Sequence, residues 1–180
     1  MHRKKILELL NDYTSQHIEE VEYKNRIISF IKQNSDCFDR SNKAGHLTAS
    51  AWLLDKSGDK ALLMHHAKLN SWMQLGGHCD NDPDIISVAL REAKEESGIN
   101  GIELVSHAIF DIDVHYIPAF HTETSHNHYD IRFLLQVKSN EEVKINHESK
   151  ELRWVSKNKS DLPTDSWSIV RMFNKWREFQ

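Results

Sequence analysis

The stretch from Gly76 to Ile99, GGHCDNDPDIISVALREAKEESGI, constrains this chain most, because it joins a paired-glycine turn to a short helix with acids along one edge. Asp82 is a good N-cap, Pro83 suits the first helical position, where a missing N–H costs nothing, and Asp84 adds negative charge at the positive helix end. The helix is predicted to start there and to stop at Ser97, since Gly98 suits the left-handed C′ conformation and Ile99 its folded-back apolar partner. At about 100° per residue, Ile85, Ile86, Ala89, Leu90 and Ala93 share a broad apolar face, and Glu92, Glu95 and Glu96 form a stripe beside it. A solvated face would set its acids opposite the apolar stripe with lysines four residues on, whereas Lys94 lies off this edge. The two readings are an acidic surface and a site for a hard divalent cation. Mg²⁺ takes oxygen ligands from carboxylates, carbonyls and substrate phosphates, and the Gly76-Gly77 backbone can come close enough to supply a carbonyl.

These residues resemble the Nudix box: glycine, five residues, glutamate, seven residues, then Arg-Glu-apolar-any-Glu-Glu-any-Gly-apolar. Gly77 fits the first position and Arg91-Glu92-Ala93-Lys94-Glu95-Glu96-Ser97-Gly98-Ile99 the second half. One position departs, since Pro83 stands where the family has its first glutamate. That glutamate usually braces the arginine, so the departure bears on the anchoring of Arg91 more than on the metal, and Asp84, about two turns away, is the candidate replacement. The resemblance implies Glu92 as metal ligand or water-orienting base, Glu95 and Glu96 as ligands, a Gly77 carbonyl, and Mg²⁺ as cofactor with Mn²⁺ as its substitute.

A length of 180 residues permits one sizeable core and an appendage. A net charge of −4 without a basic block disfavours nucleic acid as a partner. Cys37 and Cys79 make neither a disulfide framework nor a CxxC pair, no apolar run is long enough to span a membrane, and Met1 to Leu10 lacks a signal-peptide pattern. A reducing cytoplasm is the expected compartment.

Residues 1 to 43 read as a helical extension, with Ile6, Leu9, Leu10 and Tyr13 on one face and Ile18, Val21, Ile27, Ile28 and Ile31 as a second amphipathic run. This pair either packs on its own domain or serves as a dimer contact or lid. The catalytic domain is then 44 to 180. It opens on a hairpin, a strand in Gly45 to Leu54, a turn at Ser57-Gly58-Asp59 and a return from Ala61 to His66.

After the acidic helix, Phe110, Ile112, Val114 and Tyr116 alternate with Asp111, Asp113 and His115 as a half-buried strand. A second strand, His126 to Val137, sets Tyr129, Ile131, Phe133 and Leu135 against His126, His128, Asp130 and Arg132. If the two pair across the loop from Ile117 to Ser125, the acids of one oppose the imidazoles and Arg132 of the other. His128, Asp130 and Arg132 are the candidate substrate contacts. The rival readings are a satisfied polar sheet face and a zinc site at His126, His128 and Asp130, for which no closed shell of four ligands is evident. Leu152 to Val155 reads as a late strand preceded by Glu148 and Glu151. Asp165 is the expected cap of a last helix carrying Trp167, Val170, Met172, Phe173 and Trp176 as core.

The fold that the resemblance implies is α/β, a Nudix-type α/β/α sandwich with a mixed sheet. The implied activity is hydrolysis of a diphosphate linkage in a small nucleoside diphosphate derivative. Two rivals are an isomerase of the isopentenyl diphosphate type, with Cys79 as an acid/base group, and a binding module that has lost the chemistry.

Overall fold

The computed structural model describes residues 2–119, 124–139 and 142–179, so the middle of the loop at 117 to 125 lies outside the described residues. The chain runs α1 (Lys4–Asp12), α2 (Ile18–Gln33), β1 (Gly45–Leu54), β2 (Lys60–His66), β3 (Ser71–Met73), β4 (Leu75–His78), α3 (Ile85–Ser97), β5 (Ile102–Leu104), β6 (Asp111–Ile117), β7 (His126–Val137), β8 (Ser149–Ser156) and α4 (Trp167–Glu178). Among the described residues the strands form one mixed sheet ordered β3-β2-β1-β7-β5, with β4 also on β1, β6 also on β7 and β8 on β2.

The central pair is parallel, β1 beside β7, in register from Gly45 opposite Asn127 to Leu54 opposite Gln136. Every residue of β1 is buried, as expected of a strand covered on both faces. Its alternate residues Leu47, Ala49, Ala51 and Leu53 join Ile131, Phe133 and Leu135 of β7 in the larger core, with apolar residues of α1, α2 and α3. Trp52 and Leu54 point the other way, joining Leu134 and the α4 residues Ile169, Met172, Phe173 and Trp176 in a second core. The result is the expected α/β/α sandwich.

The first two helices belong to this body, since Ile6, Leu10, Ile27, Phe30 and Ile31 are buried in the same core as the sheet. Within α2 the expected apolar run is only half right, because Ile18 and Val21 are exposed while Glu20 is fully buried. Glu20 is tolerated there because Tyr13 Oη (2.6 Å), Lys175 Nζ (2.6 Å), the Ile112 N–H (3.2 Å) and Ser15 Oγ all donate to its carboxylate. A buried carboxylate with that many donors is compensated rather than orphaned. On the polar face of β6, Asp111 and Asp113 are likewise buried while His115 stays partly exposed, since α4 lays Arg171 and Lys175 over Asp111. In α4 the helix starts after Ser166, not Asp165, and Trp167 is exposed instead of core, its indole N–H donating to Glu19.

Candidate active site

Strand β4 delivers the paired glycines and α3 the acids, and the two elements are adjacent in contact and in sequence. The helix stops as its sequence demands: Gly98 sits at φ 71° and donates its N–H to the Lys94 carbonyl. Its start differs from expectation. Helical geometry begins at Ile85, with Asp84 at the N-cap, while Asp82 accepts from the Asp84 N–H in a turn before the helix. Pro83 is exposed in that turn.

Glu92 and Glu96 converge on the glycine turn from α3. The Gly76 N–H donates to Glu96 Oε2 at 2.7 Å, and a Cβ placed on Gly77 would stand 2.5 Å from Glu92 Oε2. Gly77 is therefore required by the close approach of a carboxylate to its backbone. Arg91 donates from Nη2 to Glu92 Oε1 at 2.8 Å and to the His78 carbonyl at 3.0 Å, with Glu95 4.0 Å from its Nε. Asp84 does not brace Arg91; it pairs with Lys5 of α1 at 2.8 Å. Arg91 is held instead by Glu92 and a β4 carbonyl.

Burial, with the charges of Glu92, Glu148 and Glu95, pushes the Glu96 carboxyl up to about 8 against the opposing Gly76 N–H. Burial also raises Glu92, although its bond and ion pair with Arg91 resist. Glu95 is mostly exposed beside them. Glu148, in the turn just before β8, is a further carboxylate acting on both Glu92 and Glu96. Sequence reasoning marked Glu148 only as preceding a strand, because nothing local ties it to a helix that ends about fifty residues earlier. The donor set of Glu92, Glu95, Glu96 and Glu148 with the glycine carbonyls is all hard oxygen and short of positive charge, which fits a Mg²⁺-type ion.

The second expected group lies elsewhere. Strands β6 and β7 pair as anticipated, Asp111 opposite Arg132, Asp113 opposite Asp130 and His115 opposite His128. Arg132, however, is fully buried, donating to Asp130 (2.7 Å), Asp111 (3.0 Å), Asp113 (3.2 Å) and Ser168 (2.7 Å). Asp130 accepts in addition from Thr48, Ser50 and Gln74. For Asp111, burial would raise the carboxyl, but the hydrogen bond from Arg171 and the charges of Arg132 and Lys175 hold it well below the ordinary range. Arg132 and Asp130 thus form an internal ionic network under α4, not a surface offered to a diphosphate, and Asp130 is not turned toward His126 and His128 as a zinc ligand. His128 sits instead among other imidazoles, near His46 and His78, which sequence spacing did not connect to it. Cys79, the acid/base group of the isomerase rival, is fully buried, and burial pushes its thiol far up. A thiol so placed is inert.

Comparison with known proteins bears on the family and the fold. A NUDIX-family hydrolase from Clostridium perfringens is 25% identical, over 77% of this chain and 99% of that one, with a TM-score of 0.54. An Ap4A hydrolase of C. elegans is 19% identical over 74% of this chain and 96% of its own, with a TM-score of 0.53. The E. coli dihydroneopterin triphosphate pyrophosphohydrolase is 14% identical over 72% and 92%, with a TM-score of 0.58. At their identities the last two likenesses speak for the fold alone. A search of curated proteins found no match. The family profile of the NUDIX domain matches residues 45–175, which includes the whole glycine-glutamate site, and the chain belongs to that family.

Proposed function

We propose that this NUDIX-family enzyme hydrolyses a diphosphate linkage in a small nucleoside diphosphate derivative or related molecule, with Mg²⁺, or Mn²⁺ in its place, held by Glu92, Glu95 and Glu96. The observation that carries the reading is the convergence of Glu92 and Glu96 on the Gly76-Gly77 turn with both carboxyls raised. Crowded carboxylates of this kind call for a cation, and a bound Mg²⁺ supplies charge neutralisation of the diphosphate and a more acidic water.

The chain's own residues divide the remaining work. Arg91 fixes Glu92 through Oε1, which leaves Oε2 as the atom that serves either as metal ligand or to orient the attacking water and accept its proton. The water oxygen then bonds to phosphorus as the bridging P–O bond breaks, and the bridging oxygen leaves on the other phosphate. The Gly76 N–H holds Glu96 in place, and Glu148 adds negative charge at the rim. The carboxylates titrate as a coupled set, so the base is a property of the group, with Glu92 its most directed member.

The test is a panel of nucleotide sugars, dinucleoside polyphosphates, NADH, ADP-ribose and nucleoside triphosphates with Mg²⁺, read by a coupled phosphatase that frees phosphate from monoester products. One class should be cleaved, and chelation should stop the cleavage. Binding without cleavage would make the chain a binding module, and a rearranged, uncleaved diphosphate would make it an isomerase.

A further inference from the structure

On the other side of β4 from the glutamates lies a cluster of imidazoles that the proposed hydrolysis does not use. His46 opens β1 and stands in register with His128 of β7, and His78 ends β4 opposite Thr48 of β1. Since side chains alternate along a strand, His78 faces away from the side on which Gly77 meets Glu92, toward His46. Ring centroids are 4.7 Å apart for His46 and His128, 4.9 Å for His46 and His78, and 5.2 Å for His78 and His128. His126 borders the group, with its Nε2 3.2 Å from that of His128 and its Nδ1 on the Thr124 carbonyl. His115 lies beside His128 and contacts Asp113.

The informative member is His46. It is only 2% exposed, and among the described residues neither of its ring nitrogens has a hydrogen-bond partner. An imidazole always carries at least one donor or acceptor needing a partner, and burying such a group unsatisfied costs on the order of 1–3 kcal/mol. A cluster that existed only to fill space would give that position to an apolar residue or provide a carbonyl for it. One nitrogen from each of His46, His78 and His128 lies within 4.8 Å of the other two.

We propose that His46, His78 and His128 bind a borderline divalent transition ion of the Zn²⁺ type, at a site separate from the glutamate site. Ligands about 2.0–2.1 Å from a tetrahedral ion stand roughly 3.4 Å apart, so the nitrogens must close by at most about 1.4 Å, which small side-chain rotations can supply. Neutral imidazole prefers Zn²⁺, Co²⁺ or Ni²⁺ to Mg²⁺, just as the all-oxygen glutamate set prefers the harder ion. Burial, and then the neighbouring histidines, lower His46 to about 4 and His128 to about 2, so both rings are held in the neutral form that ligates. Three protein ligands leave a fourth position for water or for His126. The backbone carbonyl of His78 accepts from Arg91 while its ring would hold this ion, so the two sites meet at a single residue of β4.

The test uses purified full-length protein dialysed against a chelator and then titrated with Zn²⁺ and Co²⁺ in excess Mg²⁺. One equivalent of Zn²⁺ should bind calorimetrically, and Co²⁺ should give the intense visible absorption of a four-coordinate nitrogen site. Both signals should weaken at least ~10-fold in His78→Gln and His128→Gln and persist in Glu92→Gln. His78 is half-buried, so its variant keeps the test open should a change at buried His46 prevent folding. No stoichiometric Zn²⁺ in the wild type, affinity unchanged in His78→Gln, or loss in Glu92→Gln instead would each overturn the assignment. Zn²⁺ binding in a wild type that cleaves no member of the diphosphate panel would count against the proposed hydrolysis alone.

Discussion

The carboxylate of Glu92 rests against the α-carbon of Gly77, so closely that a single added methyl group would stand 2.5 Å from Oε2. The obstacle is the free end of a side chain rather than backbone. Gly77→Ala should therefore fold with a loss of under about 1 kcal/mol while displacing Glu92 and lowering kcat at least ~10-fold. Gly76→Ala makes the contrast, because its Cβ would meet the Ser50 backbone at 2.6 Å and its φ is +152°. That variant should lose several degrees of Tm in thermal denaturation. Equal effects of the two substitutions on fold and on rate would dismiss the distinction.

Glu96→Gln should abolish turnover with little loss of fold, since it removes one charge at the helix edge and keeps the shape. The pH dependence has a definite sign. A carboxyl raised to about 8 in the folded state contributes stability that is full below its unfolded pKa and is lost as pH rises through 8. Metal-free wild type should thus lose Tm from about pH 5 to pH 8. Mg²⁺ should flatten the slope by favouring the ionised form, and Glu96→Gln should flatten it without metal. A slope unchanged in the variant, or activity within threefold of wild type, would remove Glu96 from the site.

Arg132→Met should act on stability. The change leaves Asp111, Asp113 and Asp130 buried with less compensation, and breaking a buried pair in this way costs about 3–5 kcal/mol. Urea denaturation should show that loss, and the fraction that remains folded should keep its Mg²⁺ requirement. A stable variant with a raised KM would return Arg132 to substrate contact.

Pro83→Glu puts a glutamate where the resemblance to the Nudix box expects one. Pro83 is exposed in the turn before α3, and Arg91 is already held by Glu92 and the His78 carbonyl. Mg²⁺ affinity by titration calorimetry should stay within about threefold, below the ~10-fold that a metal's supporting contacts typically command. A tenfold tightening would make the missing carboxylate a ligand.

Local chemistry was legible along the chain. The Gly98 stop, the glutamate stripe of α3, the hairpin and the pairing of β6 with β7 all follow from period, caps and turn residues, which act over a few positions. Alternation told which residues of β7 share a face, but not what covers that face. Only the packing of α4 buried Arg132 among aspartates, and only the docking of α2 placed Glu20 inside while exposing Ile18 and Val21. Helix α3 starts at Ile85, and Asp84 pairs with Lys5 of α1, a partner that no local window contains. The same holds for His46, His78 and His128: the sequence marked only His128, as a candidate substrate contact, and the parallel register of β1 on β7 with the antiparallel register of β4 on β1 is what brings the three together. Short-range steric and capping preferences are written into neighbouring residues, whereas burial of charge is decided by the long-range partners that compensate it.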